Sequence, residues 1–169
     1  LAVFRNDGIN QARIDLDGKG YFNGGVDLSG ADVAEFFDVE GGSKAYEPGD
    51  VLVISTSSDR TVEKSAEPYS TLVAGVYATK PGVLLTEKTV AHTSPKDGVP
   101  MGVIGVIPTK VCMEGGAIKR GDLIVTSSIP GVAMKADPDK VKIGQVIGKA
   151  LQDFNGTGIA KINILVSVK

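Results

Sequence analysis

The residues with most chemistry to offer lie in Ser127-Ser128, flanked along the chain by Lys119 and Lys135. A serine whose hydroxyl faces a lysine amine can act as a nucleophile, with the amine as its base. If the surrounding chain is β, Lys119 and Lys135 can approach Ser127 and Ser128 and make such a pair. A turn is the plainer reading, because Thr-Ser-Ser before Ile-Pro-Gly is ordinary turn sequence and turn serines bond nearby backbone. His92 is the single histidine. It sits in a polar stretch with no nearby residues suggesting a triad, so it reads as a solvated loop residue. Cys112 is the single cysteine, which excludes an intrachain disulfide and a cysteine metal cluster within one chain. It precedes a Gly-Gly turn and reads as a small buried thiol.

Other patterns lose their interest when spacing is considered. Asp137 and Asp139 flank Pro138 and are able to touch a cation, but calcium needs about six to eight oxygen ligands and no fuller set is present. The stretch from Gly144 to Ala150 has the wrong glycine spacing for a phosphate loop and no Ser or Thr after its lysine. No cofactor and no metal is therefore expected.

These residues sit on a repeated pattern. Gly49-Asp50 precedes Val51-Leu-Val-Ile54, and Gly121-Asp122 precedes Leu123-Ile-Val125. Gly75 in one later apolar run matches Gly148 in another, after a one-residue insertion. Glycine accepts turn geometry that a Cβ would penalise, and aspartate closes the turn by accepting backbone N–H groups. The Gly-Asp units therefore read as matching turns before core strands. Between each turn and its return run lie the segments Ser55–Ser70 and Ser127–Gly144, which differ almost completely. Any recognition is expected there or around His92.

Composition supports this reading. Twenty-two glycines among 169 residues, with many Val and Ile, suit short strands and tight turns. A net charge of −2 argues against a general nucleic-acid binder. No apolar run reaches the roughly 18–20 residues of a membrane span, so no membrane insertion is expected. The chain begins at Leu1, which suggests a fragment or processed product with more chain upstream.

The expected fold is mainly β: a short N-terminal β stem over 1–28, then a compact barrel or sandwich over 29–169 with two pseudo-repeated halves. Asn6-Asp-Gly8, Asp17-Gly18 and Asn23-Gly-Gly25 punctuate the stem as hairpin turns. Its strands are too short and few to bury a core alone, so they need a neighbour. Residues 29–37 fit either one helical turn or an extended strand, with Phe36-Phe37 anchoring the junction by burial. Residues 87–98 read as an exposed, mobile loop.

As a combination, Gly18-Lys-Gly-Tyr-Phe-Asn-Gly-Gly25 and Ser29-Gly-Ala-Asp-Val-Ala-Glu-Phe36 resemble the junction in phage and bacterial fibre-like proteins where a β stem meets a C-terminal β domain. Pro48-Gly-Asp-Val-Leu-Val53, Val73-Ala-Gly-Val76, Ile118-Lys-Arg-Gly-Asp-Leu-Ile-Val125 and Pro130-Gly-Val-Ala-Met-Lys135 fit the same pattern. The resemblance implies a homotrimer continuing an upstream stem, located on a virion, at a cell surface or otherwise outside the cell. It implies a structural and capping role, with contact to a host receptor or glycan as an alternative. Some such domains are self-cutting intramolecular chaperones. No cleavage motif can be matched residue by residue, so that activity is an alternative and is not carried over.

Overall fold

The computed structural model describes residues 2–86 and 97–168. Three strands form a separate antiparallel sheet at the N-terminus: β1 (Ala2–Asn6), β2 (Ile9–Ile14) and β3 (Gly20–Phe22). The turns are set by residues with positive φ, Asp7 and Gly8 between β1 and β2, and Gly18 before β3. The strand register places Phe4, Ala12 and Phe22 abreast, with Ala2 and Ile14 abreast on the same face. Val3, Arg13 and Tyr21 share the opposite face, where the Arg13 guanidinium lies 3.7 Å from the Tyr21 ring centroid.

The remaining ten strands form one continuous sheet that closes on itself twice. The first ring contains β4 (Asp32–Val39), β5 (Val51–Ile54), β6 (Thr61–Lys64), β7 (Val73–Tyr77) and the first part of β9 (Gly98–Val111). The second contains the latter part of β9, then β10 (Leu123–Thr126), β11 (Ala133–Lys135), β12 (Gly148–Ala150) and β13 (Ala160–Ser167). A short strand, β8 (Val83–Leu85), runs parallel to β4 at the sheet edge.

The two rings repeat each other strand for strand. In each, the first strand pairs parallel with the third: β4 with β6, and β9 with β11. The second pairs antiparallel with the third and fourth: β5 with β6 and β7, and β10 with β11 and β12. The fifth pairs antiparallel with the fourth and first: β9 with β7 and β4, and β13 with β12 and β9. The architecture is thus two five-stranded barrels sharing β9, which ends the first ring and begins the second. Closure leaves few free edges. The sharing is visible in β9 itself. Its register with β4 slips between Val33 and Ala34, and Gly105 takes a φ of 123° where pairing passes from β4 to β13. Such a bulge bends a strand and re-aims its faces.

The runs rich in Val and Ile supply the interior. One cluster joins Val51, Val73 and Val76 of the first ring to Ile107, Ile118, Ile124, Ile147, Ile164 and other residues of the second. Another gathers Val39, Leu52, Val62, Val99 and Met101. A third packs Cys112, Val125, Val132 and Met134 against Tyr69 and Val141. The matched glycines mark close approaches. A Cβ on Gly75 would sit 2.5 Å from the Gly102 carbonyl oxygen, and one on Gly148 would run into Leu165. Across from Gly75 the ladder also slips, at Leu52–Val53.

Several expectations take sharper form here. Residues 32–39 are extended, because pairing with β6, β8 and β9 outweighs the helix signal of the Ser-Gly-Ala-Asp segment. Phe36 and Phe37 are only half-buried. The run 146–151 contributes just three strand residues. The two segments read as unlike inserts each contain the third strand of their ring, β6 and β11. Most of the expected loop over 87–98 lies outside the described residues; Gly98 begins β9.

Candidate functional site

Each Gly-Asp unit builds the same corner. The backbone N–H three residues before the aspartate donates to its Oδ2: Glu47 to Asp50 at 2.8 Å, and Lys119 to Asp122 at 2.7 Å. The Gly N–H donates to the fourth strand of the ring, Gly49 to Tyr77 O and Gly121 to Ala150 O, both at 2.8 Å. A lysine from the end of the third strand then meets the carboxylate. Lys64 Nζ lies 3.0 Å from Asp50 Oδ2, and Lys135 Nζ lies 3.1 Å from Asp122 Oδ2.

The two corners differ in burial. The Asp122 side chain keeps 23% of its exposure, whereas that of Asp50 keeps 1%. Asp50 takes a second cation, with Lys110 Nζ 2.6 Å from Oδ1 and also 2.9 Å from Glu47 Oε2. Burial works against the Lys110 charge, but hydrogen bonds and attraction from Asp50 and Glu47 outweigh it and hold its pKa above the ordinary value. The Lys110 bond in turn holds the Glu47 carboxyl below its ordinary value.

The four residues singled out as a Ser–Lys pair all have other partners. Ser127 is buried, and its hydroxyl donates to Val132 O at 2.8 Å while accepting the Ile129 N–H. Ser128 Oγ donates to Glu114 Oε2 at 2.7 Å. Lys135 is engaged by Asp122, and the Lys119 ammonium lies 3.5 Å from Asp153. The two lysines converge on the Asp122 corner, one through its amine and the other through its backbone N–H. Cys112 is buried beside β11, its N–H donating to Ala133 O. Asp137 and Asp139 form a local turn, Asp139 N–H donating to Asp137 Oδ1. His92 lies outside the described residues. Among the described residues no group of three or more His, Cys, Asp or Glu side chains is placed to hold a metal ion, and no helix is long and apolar enough to cross a membrane.

A carboxylate with unusual surroundings stands instead at the entrance to the barrels. Asp32 opens β4, and its Oδ2 is buried without a hydrogen-bond partner among the described residues. Burial raises its pKa. A cavity of about 280 Å³ beside it is lined by Leu28, Gly30, Val83, Ile104 and Gly105. An acidic residue at the head of a strand carries no sequence signal of this kind. Asp32 as a whole is half-buried, and the burial of that one oxygen accompanies the pairing of β8 and β9 with β4.

Folding that raises a carboxyl's pKa favours the protonated form. Its contribution to stability is therefore fully present below the unfolded pKa, near pH 4, and falls as pH rises through the folded value. Asp32→Asn is expected to be more stable than the parent at pH 7, by less than about 1 kcal/mol, because the amide carries no charge to desolvate and the rest of the side chain keeps solvent contact. Glu40, Asp97 and Asp153 have the opposite sign. Hydrogen bonds from Ser58, Ser43 and Arg120, respectively, lower their pKa values, and that stabilisation is lost on acidification. The difference between variant and parent isolates Asp32. Urea unfolding at pH 7 and pH 3 measures it, and an equal difference at both would remove the charge explanation.

The fold and its corners define a tandem β-barrel domain preceded by a small separate sheet. No family model and no curated protein matches the sequence. Among solved structures, the chain is similar over 92% of its length to the pre-mature bacteriophage phi29 gene product 12, with a TM-score of 0.63 and 14% identity. It spans 24% of the length of that protein. At that identity the likeness is one of fold.

Proposed function

We propose that the chain is the C-terminal part of a fibre-like phage structural protein, in which three copies associate through the N-terminal sheets and the tandem barrels cap the fibre. The carrying observation is the uncovered apolar face of that sheet. Phe4 is 61%, Phe22 51% and Ile14 44% exposed. A small sheet whose apolar face stays in water gains little stability from that face, and side chains of this size are ordinarily buried. The fold likeness to a phage gene product and the matching sequence junction support the same reading, with the virion as its place. Sedimentation equilibrium is expected to show a trimer at micromolar concentration. A stable monomer overturns the proposal.

A second reading is self-processing at the junction, favoured by Asp32. A carboxyl that retains its proton further up the pH scale is suited to protonate the departing amide nitrogen as water adds to the carbonyl carbon and the C–N bond breaks, leaving a carboxyl group and a free amine. It stands directly after the linking segment, and the solved neighbour is a pre-mature form. Intact-mass measurement of a chain extended upstream of Leu1 tests it. The parent is expected to give two fragments and Asp32→Asn one uncut species. A parent that stays whole, or a variant cut equally, eliminates the reading.

A further inference from the structure

Beside the third core cluster lies a cleft of about 630 Å³, formed where the loops of the two barrels meet. One wall comes from the first repeat, with Pro68 and Tyr69. The other comes from the second, with Met134, Asp137 and Lys140, and Glu114 closes one side. The volume falls within the roughly 300–1,000 Å³ usual for small-molecule sites.

The cleft is built before any ligand arrives. Tyr69 holds a φ of 56°, a left-handed conformation that a bulky residue adopts only under constraint. Four bonds supply it. Tyr69 N–H donates to Thr126 O, the Tyr69 carbonyl accepts from Gln145 Nε2, the neighbouring Ser70 N–H donates to Thr126 Oγ1, and the Tyr69 phenol oxygen accepts the Asp137 N–H at 2.8 Å. Gln145 also accepts the Lys142 N–H, so one buried side chain ties both loops together. Among the described residues no acceptor takes the phenol's own proton.

The lining selects the ligand. Lys140 lies 3.2 Å from Asp137 Oδ2, and Lys135 is already engaged by Asp122. The Asp139 N–H and Lys140 keep Asp137 ionised to below its ordinary pKa. A phosphate or other anion would meet Asp137 and Glu114, and a cation would meet Lys135 and Lys140. A neutral ligand carrying several hydroxyls meets acceptors in the carboxylates and donors in Lys140 and the Tyr69 phenol. Its C–H faces meet Pro68, Met134 and the tyrosine ring. We propose that this cleft between the two barrels binds a neutral carbohydrate. The site lies within one chain, so it stands apart from the assembly proposed above, and its failure leaves that proposal intact.

Isothermal titration of the whole chain with neutral trisaccharides built on glucose, galactose and N-acetylglucosamine tests this, with sialyllactose and inorganic phosphate as charged comparators. Saturable binding of at least one neutral sugar is expected, weakened roughly tenfold or more by Asp137→Asn combined with Lys140→Ala. Both residues lie on a surface loop, and an unchanged unfolding midpoint establishes that the variant is folded. No neutral binding up to about 10 mM, binding that the variant leaves unchanged, or tighter binding of the charged comparators would each overturn the assignment.

Discussion

Asp50→Ala is expected to destabilise the chain by about 3–5 kcal/mol, the usual cost of removing one partner from a buried ion pair. The carboxylate is almost wholly buried between Lys64 and Lys110, and it also closes the turn through the Glu47 N–H. Its loss leaves two partly buried ammonium groups facing one another and a donor without an acceptor. Asp122→Ala removes the equivalent residue from the second barrel, where the carboxylate and Lys135 retain solvent contact. About 1 kcal/mol is expected there, the scale of an exposed pair and one hydrogen bond. The duplicated fold thus contains its own control: equal turn geometry with unequal burial. Lys110→Met should cost less than Asp50→Ala, because Lys64 still neutralises Asp50. Urea unfolding measures all three. Equal losses at the two aspartates would show that turn closure, not charge burial, dominates.

That duplication was legible where it depends on local chemistry. Gly49-Asp50 and Gly121-Asp122 are turns because glycine takes the positive φ and aspartate takes the N–H, and both requirements act within a few residues. Gly75 and Gly148 were legible for a similar reason, since each stands in an apolar run where a side chain would meet a neighbouring strand. What could not be read is what the closed rings bring together from far along the chain. Lys64 and Lys135 stand fourteen and thirteen residues after their aspartates, at the ends of short strands hidden in dissimilar segments. Only the pairing of β6 and β11 brings each to its corner. Lys110 comes from β9, sixty residues from Asp50. The serines are instead a local matter. Ser127 and Lys135 are plausible partners by spacing, but the nearest demands are local: a carbonyl for the Ser127 hydroxyl and a carboxylate for the lysine. Asp32 and the cleft around Tyr69 depend wholly on such long-range closure.

The shared strand also bears on how the barrels depend on each other. β9 carries the fifth position of one ring and the first of the next, and the largest core cluster already mixes valines from the first barrel with isoleucines from the second. Neither ring has a complete set of pairings without β9. The two barrels are therefore expected to unfold as one cooperative unit, so the Asp50 measurement reports on the stability of both.

The N-terminal sheet stands outside that unit, and the second large effect is predicted there. Phe4→Ser with Phe22→Ser is expected to convert a trimer to monomers while leaving barrel unfolding unchanged. Both rings lie on the apolar face with Ile14, and the register holds them abreast across Ala12. Burying a large apolar side chain contributes about 1.5–3 kcal/mol. Two lost from each of three chains removes on the order of 10 kcal/mol per assembly, or roughly seven decades in the association constant. The opposite face provides the comparison. Arg13→Ser with Tyr21→Ser removes a ring of similar size and its cation–π contact, yet the trimer should persist. If both double variants dissociate, the association does not distinguish the faces, and the apolar-face argument fails. If the parent proves to be a dimer, the face is covered by a single second copy, and the threefold fibre reading falls while the burial argument survives. Sedimentation equilibrium separates these outcomes, because the sheet has no core of its own to lose when its face is changed.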